Sequence, residues 1–248
     1  MYHFSKDLKQ TQFFFFEKHL FSNMNWAMLP KASKTIYPII RAFCGPKGES
    51  FPGEETIAMQ SGRTEKVVRS GIRGLKGFPG IRLEAYTSKR GRSSKKFTCK
   101  IPQYEKGKMF PFHRDILEGG NWAMLKPTAQ ALYPVMRFFG YADYEEYFGI
   151  VDTEKDDEQI ASEMDVSWET FKYREFDFCE AEPGTLCKYA GISRRSYTEA
   201  IKDLEKHFFI AKKPDETWKF MVYLHPPKYY KREFMHKEAI KRRVEKDA

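Results

Sequence analysis

The chain has 248 residues, of which 41% are apolar and 16% aromatic, and a formal net charge of +9. That length allows one large or two small domains, and the apolar content suffices for two cores. The longest apolar runs, such as FFFF at 13–16, are too short to span a bilayer, and the start MYHFSKDLKQ shows no secretory signal. A cytoplasmic protein without a membrane role is expected.

The charge is unevenly spread. Residues 1–110 hold 21 basic and 8 acidic side chains, a net +13, whereas 111–227 are net −8 and 228–248 are net +4. A first half this basic points to a polyanion partner. The four cysteines, Cys44, Cys99, Cys179 and Cys187, have no C-x-x-C spacing and read as free core thiols.

In chain order, TQFFFFEKHLF comes first (11–21) and is apolar enough for burial. It would complete a core, dock between domains, or present a site for a partner protein. Next, NWAMLPKASKTIYPIIRAF (25–43) recurs as NWAMLKPTAQALYPVMRFF (121–139), with nine of nineteen positions identical at an offset of 96. So long a period is not that of a solenoid; it suggests two copies of a small domain. A helix is predicted over 33–43 and again over 129–139. Pro38 and Pro134 fall inside these helices and predict a kink, or a start just before the proline. Trp26 and Trp122 are expected in the cores.

The copies realign at an offset of 129, where IAMQSGRTEKVVRSGIRGL (57–75) meets LCKYAGISRRSYTEAIKDL (186–204). The growth in offset by 33 implies an insertion of about that size within 141–182. Both segments have helix-turn-helix grammar. Gly62 and Gly191 supply the turn, and Thr64 and Ser193 are N-caps. Val68, Ile72 and Leu75 recur on one face of the helix that follows, as do Tyr197, Ile201 and Leu204. A β-hairpin is predicted after each, over 81–86 with 95–101 and over 209–212 with 218–224. The fold class is therefore α+β, mainly helical with small hairpins: two tandem winged-helix domains from an internal duplication. Their spans are 1–110, basic and with an N-terminal helix, and 111–227, with an acidic helical insertion at about 141–182, followed by a basic tail at 228–248.

A winged helix reads duplex DNA by laying its second helix in the major groove, where base edges carry a distinguishable code. In the first copy Lys66 and Arg69 are placed for base edges, Glu65 for cytosine N4, and Arg63 and Arg73 for phosphates. Arg194, Arg195, Thr198 and Lys202 hold the corresponding face in the second. The first wing, SKRGRSSKK (88–96), offers Lys89, Arg90, Arg92, Lys95 and Lys96 around a glycine, suited to a narrow minor groove. The second wing carries Asp215 and Glu216, which repel phosphate.

The segment 141–182 holds 15 acidic and 3 basic residues, and so should face away from DNA, toward solvent or a basic partner protein. Its acidic run Asp152, Glu154, Asp156, Asp157 and Glu158 lacks the glycine and closing glutamate of an EF-hand loop. There is no phosphate-cradling loop, no H-E-x-x-H and no histidine pair with metal spacing. No catalytic residue, cofactor or metal site is predicted, and the chain does not read as an enzyme.

The stretch FPGEETIAMQSGRTEKVVRSGIRGL (51–75) resembles the helix-turn-helix domains of phage and plasmid replication proteins and bacterial regulators. The duplicated organisation resembles plasmid replication initiators. That resemblance implies double-stranded DNA as partner, a directly repeated origin site, and a homodimer that represses its own gene. By position it implies Lys66 and Arg69 in one reader and Arg194 and Arg195 in the other. A transcription regulator of the same fold remains an alternative, marked by a single inverted repeat. So does a protein-interaction module in which the first domain alone touches DNA.

Overall fold

A computed structural model describes residues 13–44, 48–87, 93–99, 109–118, 120–141, 176–212 and 219–224. The first half runs β1 (Phe13–Glu17), α1 (His19–Ser22), α2 (Asn25–Met28), α3 (Lys31–Ala42), β2 (Glu49–Ser50), α4 (Glu54–Ser61), α5 (Glu65–Gly74), β3 (Ile81–Thr87) and β4 (Ser93–Cys99). The second half repeats that order as β5 (Met109–His113), α6 (Asp115–Glu118), α7 (Asn121–Met124), α8 (Pro127–Phe138), β6 (Phe176–Cys179), α9 (Pro183–Ala190), α10 (Arg194–Lys206), β7 (Ile210–Lys212) and β8 (Phe220–Tyr223). The architecture is mixed α+β with small antiparallel sheets. The three-stranded sheets have equivalent orders, β2-β4-β3 and β6-β8-β7, and β1 pairs with β5 in a ribbon.

The long helices α3 and α8 start at Lys31 and Pro127, two residues earlier than the pattern predicts, and both run through their internal proline. Ring closure at Pro38 and Pro134 removes one N–H each, and burial on almost every side holds the helix past that gap. Between 141 and 182, Phe176–Cys179 is a sheet strand paired with β8 rather than inserted chain. Asp177 is accordingly buried, 3.4 Å from Arg137, instead of facing solvent.

One core runs through both halves. The boundary between residues 110 and 111 lies within β5, whose register with β1 centres on the pair Phe15 and Pro111. Phe16 stacks on Phe110 and tilts against Phe112, so the apolar run at 13–16 closes the joint between halves.

The seam is reciprocal in detail. Trp26 Nε1 donates to Ala131 O at 3.0 Å, and Trp122 Nε1 donates to Thr35 O at 2.9 Å. Gln130 Nε2 donates to Ser61 O at 3.1 Å, and Lys34 Nζ donates to Ala190 O at 2.8 Å. Gly62 and Gly191 are both left-handed, with φ of 66° and 62°. A Cβ on Gly62 would collide with Ala123 O, and one on Gly191 with Ala27 O. Each contact has its counterpart at the equivalent position of the other half, which is the signature of a two-fold relation. Both tryptophans are fully buried, as expected, and Cys44 and Cys99 are among the four free thiols.

Candidate nucleic-acid interface

Helix α5 is held on α3 by an unusually close backbone approach. Gly71 leaves no room for a Cβ against Ala32, and Ser33 Oγ donates to Gly71 O at 2.8 Å. Val68, Ile72 and Leu75 are buried, as the periodicity predicts. The opposite face is thereby fixed outward, and Glu65, Lys66, Arg69 and Arg73 are exposed along it.

Glu54, in the first turn of α4, ties this face to the hairpin. Arg69 Nη1 lies 3.4 Å from Glu54 Oε2 and 3.5 Å from Glu65 Oε2. Lys95 on β4 bonds the other oxygen of Glu54, and Lys96 pairs with Glu49. Helix α5 and strand β4 of the hairpin therefore present their cations side by side. Partly exposed pairs of this kind contribute about 0–1 kcal/mol each, so the cations are readily exchanged onto another anion. Lys89, Arg90 and Arg92 lie outside the described residues.

Two expectations for the first half are corrected. Arg63 is half-buried rather than free in solvent: its Nη2 donates to Leu125 O at 2.6 Å and Gln130 Oε1 at 2.9 Å. The carbonyl at the end of α7 and the amide on α8 hold it in the seam, and burial lowers its pKa. Nη2 is thus engaged in the joint between the halves, while Nη1 donates to Gly62 O at 3.1 Å at the surface. Thr64 occupies the N-cap position with extended backbone, but its side chain makes no capping hydrogen bond.

Helix α10 repeats the arrangement. Ser193 does cap it, accepting from Ser196 N at 3.2 Å. Tyr197 and Leu204 are buried and Ile201 half-buried, while Arg194, Arg195, Thr198 and Lys202 are exposed on the outer face. Asp203 Oδ2 accepts from Lys126 N at 2.7 Å, anchoring α10 to the start of α8 as Ser33 anchors α5 to α3. Arg195 sits 3.8 Å from Glu199. Pro183 stands where Glu54 stands in the first half, so that position offers no carboxylate in the second.

Glu54 and Glu49 were not singled out from sequence. The available signal was an acid in the first turn of the helix before a cationic one. Asp215, Glu216, residues 142–175 and the tail at 228–248 lie outside the described residues. Among the described residues no group of three or more His, Cys, Asp or Glu is arranged to hold a metal, and no helix is long and apolar enough to cross a membrane. No protein-family model matches the chain, and neither a curated protein nor a solved structure shows significant similarity to it.

Proposed function

We propose that the chain is a sequence-specific double-stranded DNA-binding protein made of two winged helices from one duplicated unit, acting as a plasmid- or phage-type replication initiator. The observation that carries this reading is the outward face of α5, where Lys66, Arg69 and Arg73 are exposed beside Lys95 of the wing. A major groove about 12 Å wide admits one such helix, and the flanking lysines meet phosphate. The exposed Arg194, Arg195, Thr198 and Lys202 on α10 support a second reader.

Replacing Arg69 by Ala should weaken binding to the preferred duplex by about 1–3 kcal/mol, measured by gel shift, while leaving affinity for unrelated duplex nearly unchanged. Equal losses on both duplexes would leave α5 a phosphate holder and remove it as a reader. The initiator reading further expects direct repeats beside the gene, and autonomous replication of a marker circle that carries them together with this chain.

The net −8 of residues 111–227 favours a second reading, in which the second half and its acidic segment bind a basic protein and the first half alone holds DNA. That reading expects Arg194→Ala with Arg195→Ala to leave DNA affinity unaltered; the two-reader proposal expects it to fall.

A further inference from the structure

Two of the four thiols stand together in the first half. Cys44 follows α3 and Cys99 closes β4, and their sulfurs lie 2.7 Å apart although they are 55 positions apart in sequence. Backbone hydrogen bonds fix both positions. Cys44 N donates to Arg41 O at 3.1 Å, Cys99 N donates to Gly48 O at 2.7 Å, and Cys99 stands opposite Ile81 in the sheet. Cys44 is half-buried and Cys99 buried, so a small molecule from solvent meets Cys44 first.

The surroundings suit thiol chemistry. Cys44 Sγ donates to Cys99 Sγ, and that hydrogen bond lowers the Cys99 pKa against the raising effect of burial. The buried Arg41 guanidinium lowers it further, by its charge and by a hydrogen bond. The same sulfur–sulfur bond, and then burial, push the Cys44 thiol up. Thiolate character is thus favoured on one sulfur while the proton is held on the other. At Cys179 and Cys187 burial dominates and raises both. The duplicated fold does not itself ask for two sulfurs here. At the offset of 96, Cys44 corresponds to Gly140. Ile81 corresponds to Ile210 at the offset of 129, and their strand partners are Cys99 and Val222. The second half builds the same junction from glycine and valine.

We infer that Cys44 and Cys99 form a reversible dithiol–disulfide pair that takes its oxidising equivalents from a small-molecule disulfide of the glutathione class. Cys44 passes its proton to Cys99 along their hydrogen bond, and its sulfur attacks one sulfur of the small disulfide. That S–S bond breaks and one thiolate leaves. Cys99 Sγ then attacks Cys44 Sγ, and the second thiolate leaves. The two cysteines give up two electrons, the small disulfide is reduced to two thiols, and the protons the cysteines held go to the departing sulfurs. A separation of 2.7 Å leaves less than about 1 Å to close to an S–S bond of roughly 2.05 Å. The new bond ties α3 to β4 and encloses α4, α5 and β3 in one covalent loop. Neither the bond nor its chemistry depends on DNA binding.

The test incubates the full chain in glutathione buffers spanning fully reduced to fully oxidised, traps free thiols by acid and alkylation, and maps them by mass spectrometry. The expected result is loss of Cys44 and Cys99 together as one linked peptide, with Cys179 and Cys187 still alkylated after unfolding, and full recovery in excess reductant. Oxidation should raise the urea midpoint by about 1 M. In Cys99→Ser, Cys44 should accumulate a glutathione adduct that the wild type does not hold. In Cys44→Ser, the buried Cys99 should stay free. Four outcomes on the wild type, which do not depend on the variants folding, would overturn the inference. These are both cysteines free in the most oxidising buffer, a lasting glutathione adduct on Cys44, all four thiols reacting alike, or a linked peptide that joins two chains.

Discussion

Single side chains decide how the halves are joined. Lys34 is buried with its ammonium between Ala27 O and Ala190 O, at the carbonyl ends of α2 and α9. A cation is favoured there by the helix dipole, yet burial, and then nearby Lys31, pull its pKa down from 10.5 to about 8. The unfolded chain therefore holds more protons than the folded one between pH 8 and 10.5. Stability contributed by Lys34 must rise across that window and stay flat below it. Subtracting the urea stability of Lys34→Gln, which copies residue 130, cancels the other titrating groups. The difference should move toward wild type as pH climbs through the window; a flat difference would show that Lys34 is not buried as described. Gly62 and Gly191 make the second point. An Ala at either should destabilise by about 2–5 kcal/mol, from the left-handed backbone and from overpacking against the opposite carbonyl. An effect under about 1 kcal/mol in urea melts would contradict the close approach at the seam.

At the level of elements, Glu54 holds the outer face of α5 to the hairpin strand β4. With Arg69 and Lys95 both bound to it, Glu54→Gln removes one anion from a surface that would lie near phosphate. Affinity for a random duplex should rise severalfold at low salt, by fluorescence anisotropy, and the preference for the selected site should narrow. Unchanged affinity would mean that α4 lies outside the contact. Helices α5 and α10 and the four hairpin strands were legible in sequence because their signals are local: a turn glycine, a cap position and an apolar residue every turn. The strand β1 was not, since FFFF has no alternation to mark its two faces. Nor was β2, only two residues long, or β6, hidden within an acidic stretch. Arg63 was misread for a related reason. Its spacing matches a helix-start phosphate contact, and Leu125 and Gln130, which capture it, lie more than sixty residues away.

As a whole, the molecule has one core with a reciprocal joint, not two cores on a tether. The outer face of α5 is thus fixed relative to that of α10 by packing rather than by a linker, and under the proposed function that packing would set their spacing on a duplex. The measurement that tests the account most directly is titration of labelled duplex with the full chain across a salt series. The comparison is with a variant lacking Lys66, Arg69 and Arg195, each changed to Ala. The account predicts tight wild-type binding whose log affinity falls linearly with log salt. It predicts a loss greater than about tenfold and a shallower salt slope for the variant, with the urea midpoint unchanged. Equal affinities for the two proteins, or no binding by the wild type, would contradict it.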